Sequence, residues 1–162
     1  MFILDTNVLS TFRKQAPHPV VARWVARTGW EAITTTVVTV TEIQRGIERA
    51  RVEHPSVASD AERWLDGLLA AGTPQILPMG VAASRVLGRM FETPALRHFI
   101  ATDRQAKVQA TGADLAIAAI AIATGAAVAT ANIGHFLQIS ALFPLPVLFD
   151  PFAQTWQVRR GA

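Results

Sequence analysis

The sequence contains no cysteine. That excludes a disulfide scaffold and thiolate zinc sites, and it suits a reducing cytoplasm. No basic segment leads into an apolar core at the N-terminus, and Asp5 breaks the first apolar run, so a secretory signal is not expected. A long apolar stretch is also missing. The richest, Leu115 to Ala131, is mostly alanine, contains Gly125 and is short for a membrane span. The positive mean hydropathy of +0.30 therefore reads as buried alanine helices in a soluble, cytoplasmic chain with no membrane partner. No Gly-x-Gly-x-x-Gly follows the first strand, and no Gly-x-x-x-x-Gly-Lys-Ser/Thr is present, so dinucleotide sites and P-loops are disfavoured. The first strand ends in Asp-Thr-Asn rather than Asp-x-Asp, which argues against a phosphoryl-aspartate enzyme. Linkers, low-complexity tracts, internal repeats and Asn-Gly hairpin signals are absent too.

What remains is a chain of 162 residues, 51% of them hydrophobic, enough for one domain with a sizeable core. Thirteen of its fifteen basic residues are arginine and the formal charge is +3. Arginine suits phosphate through its bidentate fork, although a solvated arginine-rich surface accounts for the composition equally well. Strands are expected at Phe2–Leu4, Ala32–Thr35, Gln75–Leu77, Ala126–Ala129 and Pro146–Leu148. Between them the spacing turns helical: Val20, Val21, Trp24, Val25 and Thr28 share one face, and Val57, Ala61, Trp64, Leu65 and Leu68 another. Alternation of strands and helices predicts an α/β fold with a parallel sheet covered on both sides. In such folds ligands gather beyond the C-terminal strand ends, where Asp5 and Asn132 fall. The two helical faces exceed the needs of one small core, so some apolar surface is expected to stay open for a partner.

Four places carry possible chemistry. An acid at the end of a buried strand must be paired, hydrogen-bonded or bound to a cation, so Asp5 is either a ligand or the cap of a helix starting near Asn7. Glu42 reads as opening a helix, with Thr39 at capping-box spacing as its plainer role. Arg45 and Arg49 share its side, where an acid and arginines together could hold a metal and a phosphate. A surface ladder through Glu48 is the alternative, and Gly46 on the same face would admit another backbone. Asp114 opens an alanine-rich helix, where a dipole role is ordinary. Thr130, Asn132 and His135 cluster after a later strand. Three convergent carboxylates repel unless a divalent cation lies between them, and Mg²⁺ prefers such hard oxygens.

The segments LDTNVLS, VTVTEIQRGIE, GADLAIAAIAIATGAAVAT, TANIGHF and PVLFDPF, in this order, resemble PIN-domain ribonucleases, specifically the VapC or FitB-type toxins of bacterial type II toxin–antitoxin pairs. The resemblance implies a three-layer α/β/α fold with a central, mainly parallel sheet over residues 1–150, leaving 151–162 as a short basic tail. It implies a Mg²⁺- or Mn²⁺-dependent endoribonuclease, a hydrolase of RNA phosphodiesters. Asp5, Glu42 and Asp114 fall on the family's first three acidic positions as metal ligands, and Thr6 on its accessory hydroxyl. The expected partners are a cognate antitoxin, an RNA substrate, a second copy of the chain, and operator DNA only through the antitoxin. The chain departs from the pattern where a fourth acid is usual: Asn132 and His135 stand there. Asn132 still offers a carbonyl oxygen, and His135 joins Arg45 and Arg49 as a candidate RNA contact. Because charge count tunes affinity for hard cations, a second metal should suffer most. The alternative is a catalytically weak PIN-fold protein acting mainly through antitoxin and operator complexes. The stretch Leu96–Lys107 is longer and more basic than the family pattern.

Overall fold

The computed structural model describes residues 1–13, 16–100 and 112–159. Most of the basic stretch anticipated before Asp114 lies outside them. Six strands form one sheet: β1 (Phe2–Leu4), β2 (Ile33–Thr36), β3 (Gln75–Leu77), β4 (Ala127–Ala129), β5 (Val147–Asp150) and β6 (Thr155–Arg159). Their order is β3-β2-β1-β4-β5-β6, and every neighbouring pair is parallel except β5 and β6. The helices are α1 (Thr6–Leu9), α2 (Pro19–Thr28), α3 (Val37–Glu53), α4 (Pro55–Ala71), α5 (Val81–Phe91), α6 (Ala113–Thr124) and α7 (Ile133–Leu142). No described helix is long and apolar enough to cross a membrane.

The three layers follow from the two-residue period of the strands. Ile3, Val128 and Leu148 face one core, shared with Leu115, Ile120 and Phe136. Leu4, Ala129 and Phe149 face the other, shared with Val21, Trp24, Ile47 and Leu65. Ile3 and Leu4 are both fully buried, each worth about 1.5–3 kcal/mol of burial. Helix α6 is buried from Leu115 through Ala121, because its alanines let α3, α5 and α7 pack around it. Its ends are Gly112 and Gly125, both at φ +70°, a left-handed conformation that favours glycine.

Strands β1 and β3 lie where the residue pattern puts them, and β2, β4 and β5 differ only at their ends. Four details differ from expectation. The helix after β2 begins at Val37, so Glu42 sits in its second turn and not at its start. Thr36, not Thr39, is the cap, accepting from the Thr39 N–H at 3.2 Å. On α4 the buried face is Ala58, Ala61 and Leu65, with Val57 exposed, so the apolar stripe is rotated by one position. Residues 155–159, read as tail, pair with β5 as an edge strand. Asp150 builds that hairpin by accepting from the Phe152 and Ala153 N–H groups at 2.8 and 3.1 Å.

The order of strands reverses between β1 and β4. β2 and β3 extend the sheet one way from β1, and β5 and β6 extend it the other way from β4. The crevice beyond the C-terminal ends of these two strands is the switch point where such sheets bind ligands.

Candidate active site

Asp5 leaves β1 in extended conformation and caps α1. Its Oδ1 accepts the Thr6 N–H at 2.6 Å, and its Oδ2 accepts from Thr130 Oγ1 at 2.6 Å and Asn7 Nδ2 at 2.7 Å. Capping and site geometry are thus one arrangement. The carboxyl is only 3% exposed, and burial pushes its pKa up to about 7. The hydrogen bonds from Thr130 and Thr6 oppose that rise, while Asp114 and Glu42 add to it.

Asn7 and Thr130 join the ends of the two central strands. Asn7 Nδ2 also reaches Thr130 Oγ1 at 3.1 Å, and its Oδ1 accepts the Ala131 N–H at 3.1 Å. Thr130 Oγ1 in turn accepts the Asn132 N–H at 2.8 Å. Neither Asn7 nor Thr130 is among the site residues expected from the sequence. The signal was the unbroken Asp-Thr-Asn, three polar side chains leaving a buried strand together.

Glu42 reaches the same place from α3, where the Thr6 hydroxyl donates to its Oε2. Burial raises its pKa first, the Thr6 bond opposes, Asp114 raises it further, and Arg45 and Arg49 draw it back. Both arginines are exposed on the Glu42 side of α3. The surface ladder exists but uses other cations: Glu48 pairs with Arg51, which also bridges to Glu62. Gly46 faces open space, and no backbone among the described residues packs against it.

Asp114, in the first turn of α6, is partly exposed. Its Oδ2 accepts from Asn132 Nδ2 at 3.0 Å and contacts His135 Nδ1 at 2.7 Å. Asn132 Nδ2 and His135 Nδ1 are themselves 2.8 Å apart. Phe99 meets the His135 ring edge-on, with centroids 5.2 Å apart. Asn132 and His135 therefore hold Asp114.

Of the eight residues expected from the sequence, Thr6 is bonded to Asp5 and Glu42, Asn132 and His135 are bonded to Asp114, and Arg45 and Arg49 act on Glu42 through their charge alone. As placed, no trio of His, Asp or Glu among the described residues closes into a metal cage. The donor chemistry nonetheless fits a hard divalent ion. Asp114 and Glu42 raise the proton affinity of Asp5, and Asp114 raises that of Glu42. Glu42 Oε1 and Asp114 Oδ1 take no hydrogen bond among the described residues.

A doubly wound α/β/α sheet with coupled carboxylates at its switch point defines the class of protein. The PIN-domain family profile matches residues 2–141, and the chain belongs to that family. It is 34% identical over 139 residues to plasmid stability protein StbB of Pseudomonas syringae pv. tomato, spanning 84% of this chain and 91% of that one. It is 32% identical over 65 residues to ribonuclease VapC14 of Mycobacterium tuberculosis, spanning 40% and 63% of the two chains. Its fold is similar to a chain of FitAB bound to an IR36 DNA fragment, with TM-score 0.62 and 22% identity over the whole of both chains. FitAcB from Neisseria gonorrhoeae gives TM-score 0.59 and 23% identity over 94% of this chain and 99% of that one.

Proposed function

We propose that the protein is a metal-dependent endoribonuclease and the toxin of a cytoplasmic toxin–antitoxin pair. The observation that carries this is the convergence of Asp5, Glu42 and Asp114 from three separate segments, with the Asp5 carboxyl pushed up to about 7. A buried carboxylate with two acidic neighbours is stabilised as an anion by a cation more than by any other change. Asp5, Glu42 and Asp114 would hold Mg²⁺ or Mn²⁺. When bound, such an ion polarises a phosphodiester and makes an attacking water more acidic. Thr6 holds Glu42, whose raised proton affinity would suit it to take the proton of an attacking water as the new P–O bond forms and to pass a proton to the leaving oxygen as the old P–O bond breaks. Asn132 and His135 orient Asp114, and Arg45, Arg49 and His135 bind the RNA. The name of the relative ribonuclease VapC14 supports RNA as the substrate.

An antitoxin partner is supported by the surface as well. Leu9, Phe12, Trp30, Trp64, Leu68 and Pro74 line an open groove of about 370 Å³ beside the first helices. It is apolar and suits the hydrophobic face of an antitoxin helix. Operator DNA would be reached only through that antitoxin, in an assembly holding two copies of this chain. Similar folds include FitAB and VapBC bound to DNA.

A second reading is favoured by the Asn132–His135 hold on Asp114. With its fourth acid replaced, the chain would act mainly by complex formation and cleave poorly. Cleavage of RNA by the purified chain with Mn²⁺, abolished by Glu42→Gln, is the result expected of the first reading. Equal rates in both proteins, or none in either at any metal concentration, would overturn it.

A further inference from the structure

Leu96 and Phe99, in the stretch that departs from the family pattern, belong to a short 3-10 turn, Pro94–Phe99. Pro94 opens the turn with its fixed φ, and the three-residue period puts Leu96 and Phe99 on one face. Both side chains are buried in the core they share with Leu115 and Phe136, while His98 is exposed.

The turn is tied to both helices that carry the Asp114–His135 pair. The Phe99 carbonyl accepts the Gly112 N–H at 2.9 Å, at the cap of α6 and two residues before Asp114. The Phe99 ring meets the His135 ring of α7 edge-on. His98 lies tilted over Phe99 with ring centroids 4.3 Å apart, and its Nε2 is 3.1 Å from Gln138 Oε1, one turn beyond His135. The His135 side chain is 51% exposed, so water competes for its bond to Asp114 and other rotamers are within reach. Phe99 is only 6% exposed and is the fixed ring of the two. An edge-to-face contact with a fixed ring disfavours the orientations that would swing His135 away.

We infer that Phe99 is a positioning residue of the candidate site. Its ring holds the His135 imidazole against Asp114 Oδ2, and its carbonyl fixes the start of the helix that carries Asp114. The carboxylate is then presented to a cation in one orientation. That last step rests on the proposed metal-binding reading, whereas the hold on His135 does not.

The test reads the pair first without metal. Facing a carboxylate oxygen, His135 carries its hydrogen on Nδ1, whereas a free imidazole in water favours Nε2. Nitrogen–proton correlation NMR of the four histidine rings distinguishes the two forms. In Phe99→Leu, His135 should pass mainly to the Nε2–H form while His18 and His54 stay unchanged. Gln138→Ala, a surface change that leaves the core untouched, should move His135 the same way by less. An unchanged His135 in Phe99→Leu would overturn the inference; if that variant fails to fold, an unchanged His135 in Gln138→Ala would do so. Calorimetry with Mn²⁺ then separates positioning from general support. Phe99→Leu should bind Mn²⁺ about tenfold more weakly than the wild type, the low end for a residue acting through another. In a His135→Ala background it should cost nothing further, because the group it acts through is gone. An equal further loss there would make Phe99 part of the core alone and overturn the inference. A wild type that binds no Mn²⁺ would count against the metal reading, and the spectra would still decide the hold on His135.

Discussion

The two sides of the acidic crevice are built differently. On the β1 side Asp5 is nearly sealed from solvent, takes hydrogen bonds on both oxygens, and has its pKa pushed up to about 7. On the β4 side Asp114 is partly exposed, and an amide and an imidazole crowd a single oxygen. Asp5 accepts bonds from groups fixed by the backbone and the strand ends, so its orientation is set by folding. Asp114 is held by Asn132 and His135, side chains that can turn away. The first side is a rigid anchor for charge, and the second is adjustable.

The largest effect should come from the anchor. Asp5→Asn is expected to weaken Mn²⁺ binding by more than about 100-fold, beyond the loss usual for an outer-sphere partner. Calorimetric titration checks this, and equal affinity in variant and wild type would break the contrast. Next is the pH dependence of the metal-free protein. A carboxyl raised from its ordinary 3.8 to about 7 on folding keeps its proton where the unfolded chain has lost it. Its contribution is therefore complete below about pH 4 and is lost as pH rises to about 7, with a ceiling of about 4 kcal/mol. In chelator, the melting temperature should fall between pH 4.5 and 7.5, Mn²⁺ should restore it, and Asp5→Asn should flatten the profile.

The adjustable side should respond less. Asn132→Asp or His135→Asp adds a charge beside Asp114 and is expected to raise single-turnover cleavage at low Mg²⁺ about tenfold, or about 1.4 kcal/mol of transition-state stabilisation. No gain at any magnesium level would show that a missing acid does not limit this site. The smallest effect belongs to the arginines of α3. Replacing Arg45 and Arg49 by alanine should reduce the salt dependence of RNA binding, lowering the slope of log affinity against log salt by about 0.7 per lost phosphate contact. An unchanged slope would remove both from the RNA path.

Parts of this site were legible in the chain because they depend on local chemistry. An acid ending a buried strand announces itself through its desolvation cost, which is why Asp5 stood out. Asp114 was legible from its place at the start of an alanine helix. Glu42 was recognised, but its position within α3 was not. The run Thr34 to Val40 is rich in β-branched residues, which favour strands, and only packing and the Thr36 cap turn it into helix at Val37. The β5–β6 hairpin escaped because its turn uses the Asp150 carboxylate and a positive φ of 58° at Gln154 in place of an Asn-Gly pair. Whether Gly46 faces a neighbour or open water is not written in the sequence, because a helical glycine looks the same in both settings.

By itself, the sequence determined the α/β alternation, the burial of Asp5, and the set of side chains able to bind a cation or phosphate. Period and polarity are local properties, written residue by residue. Tertiary structure alone decided that Thr130 holds Asp5, that Asn132 and His135 hold Asp114, and that Phe91 and Glu42 line one cavity. Those contacts join residues far apart in the chain. They exist only because strand pairing across β1 and β4, and helix packing around α6, set the distances between them.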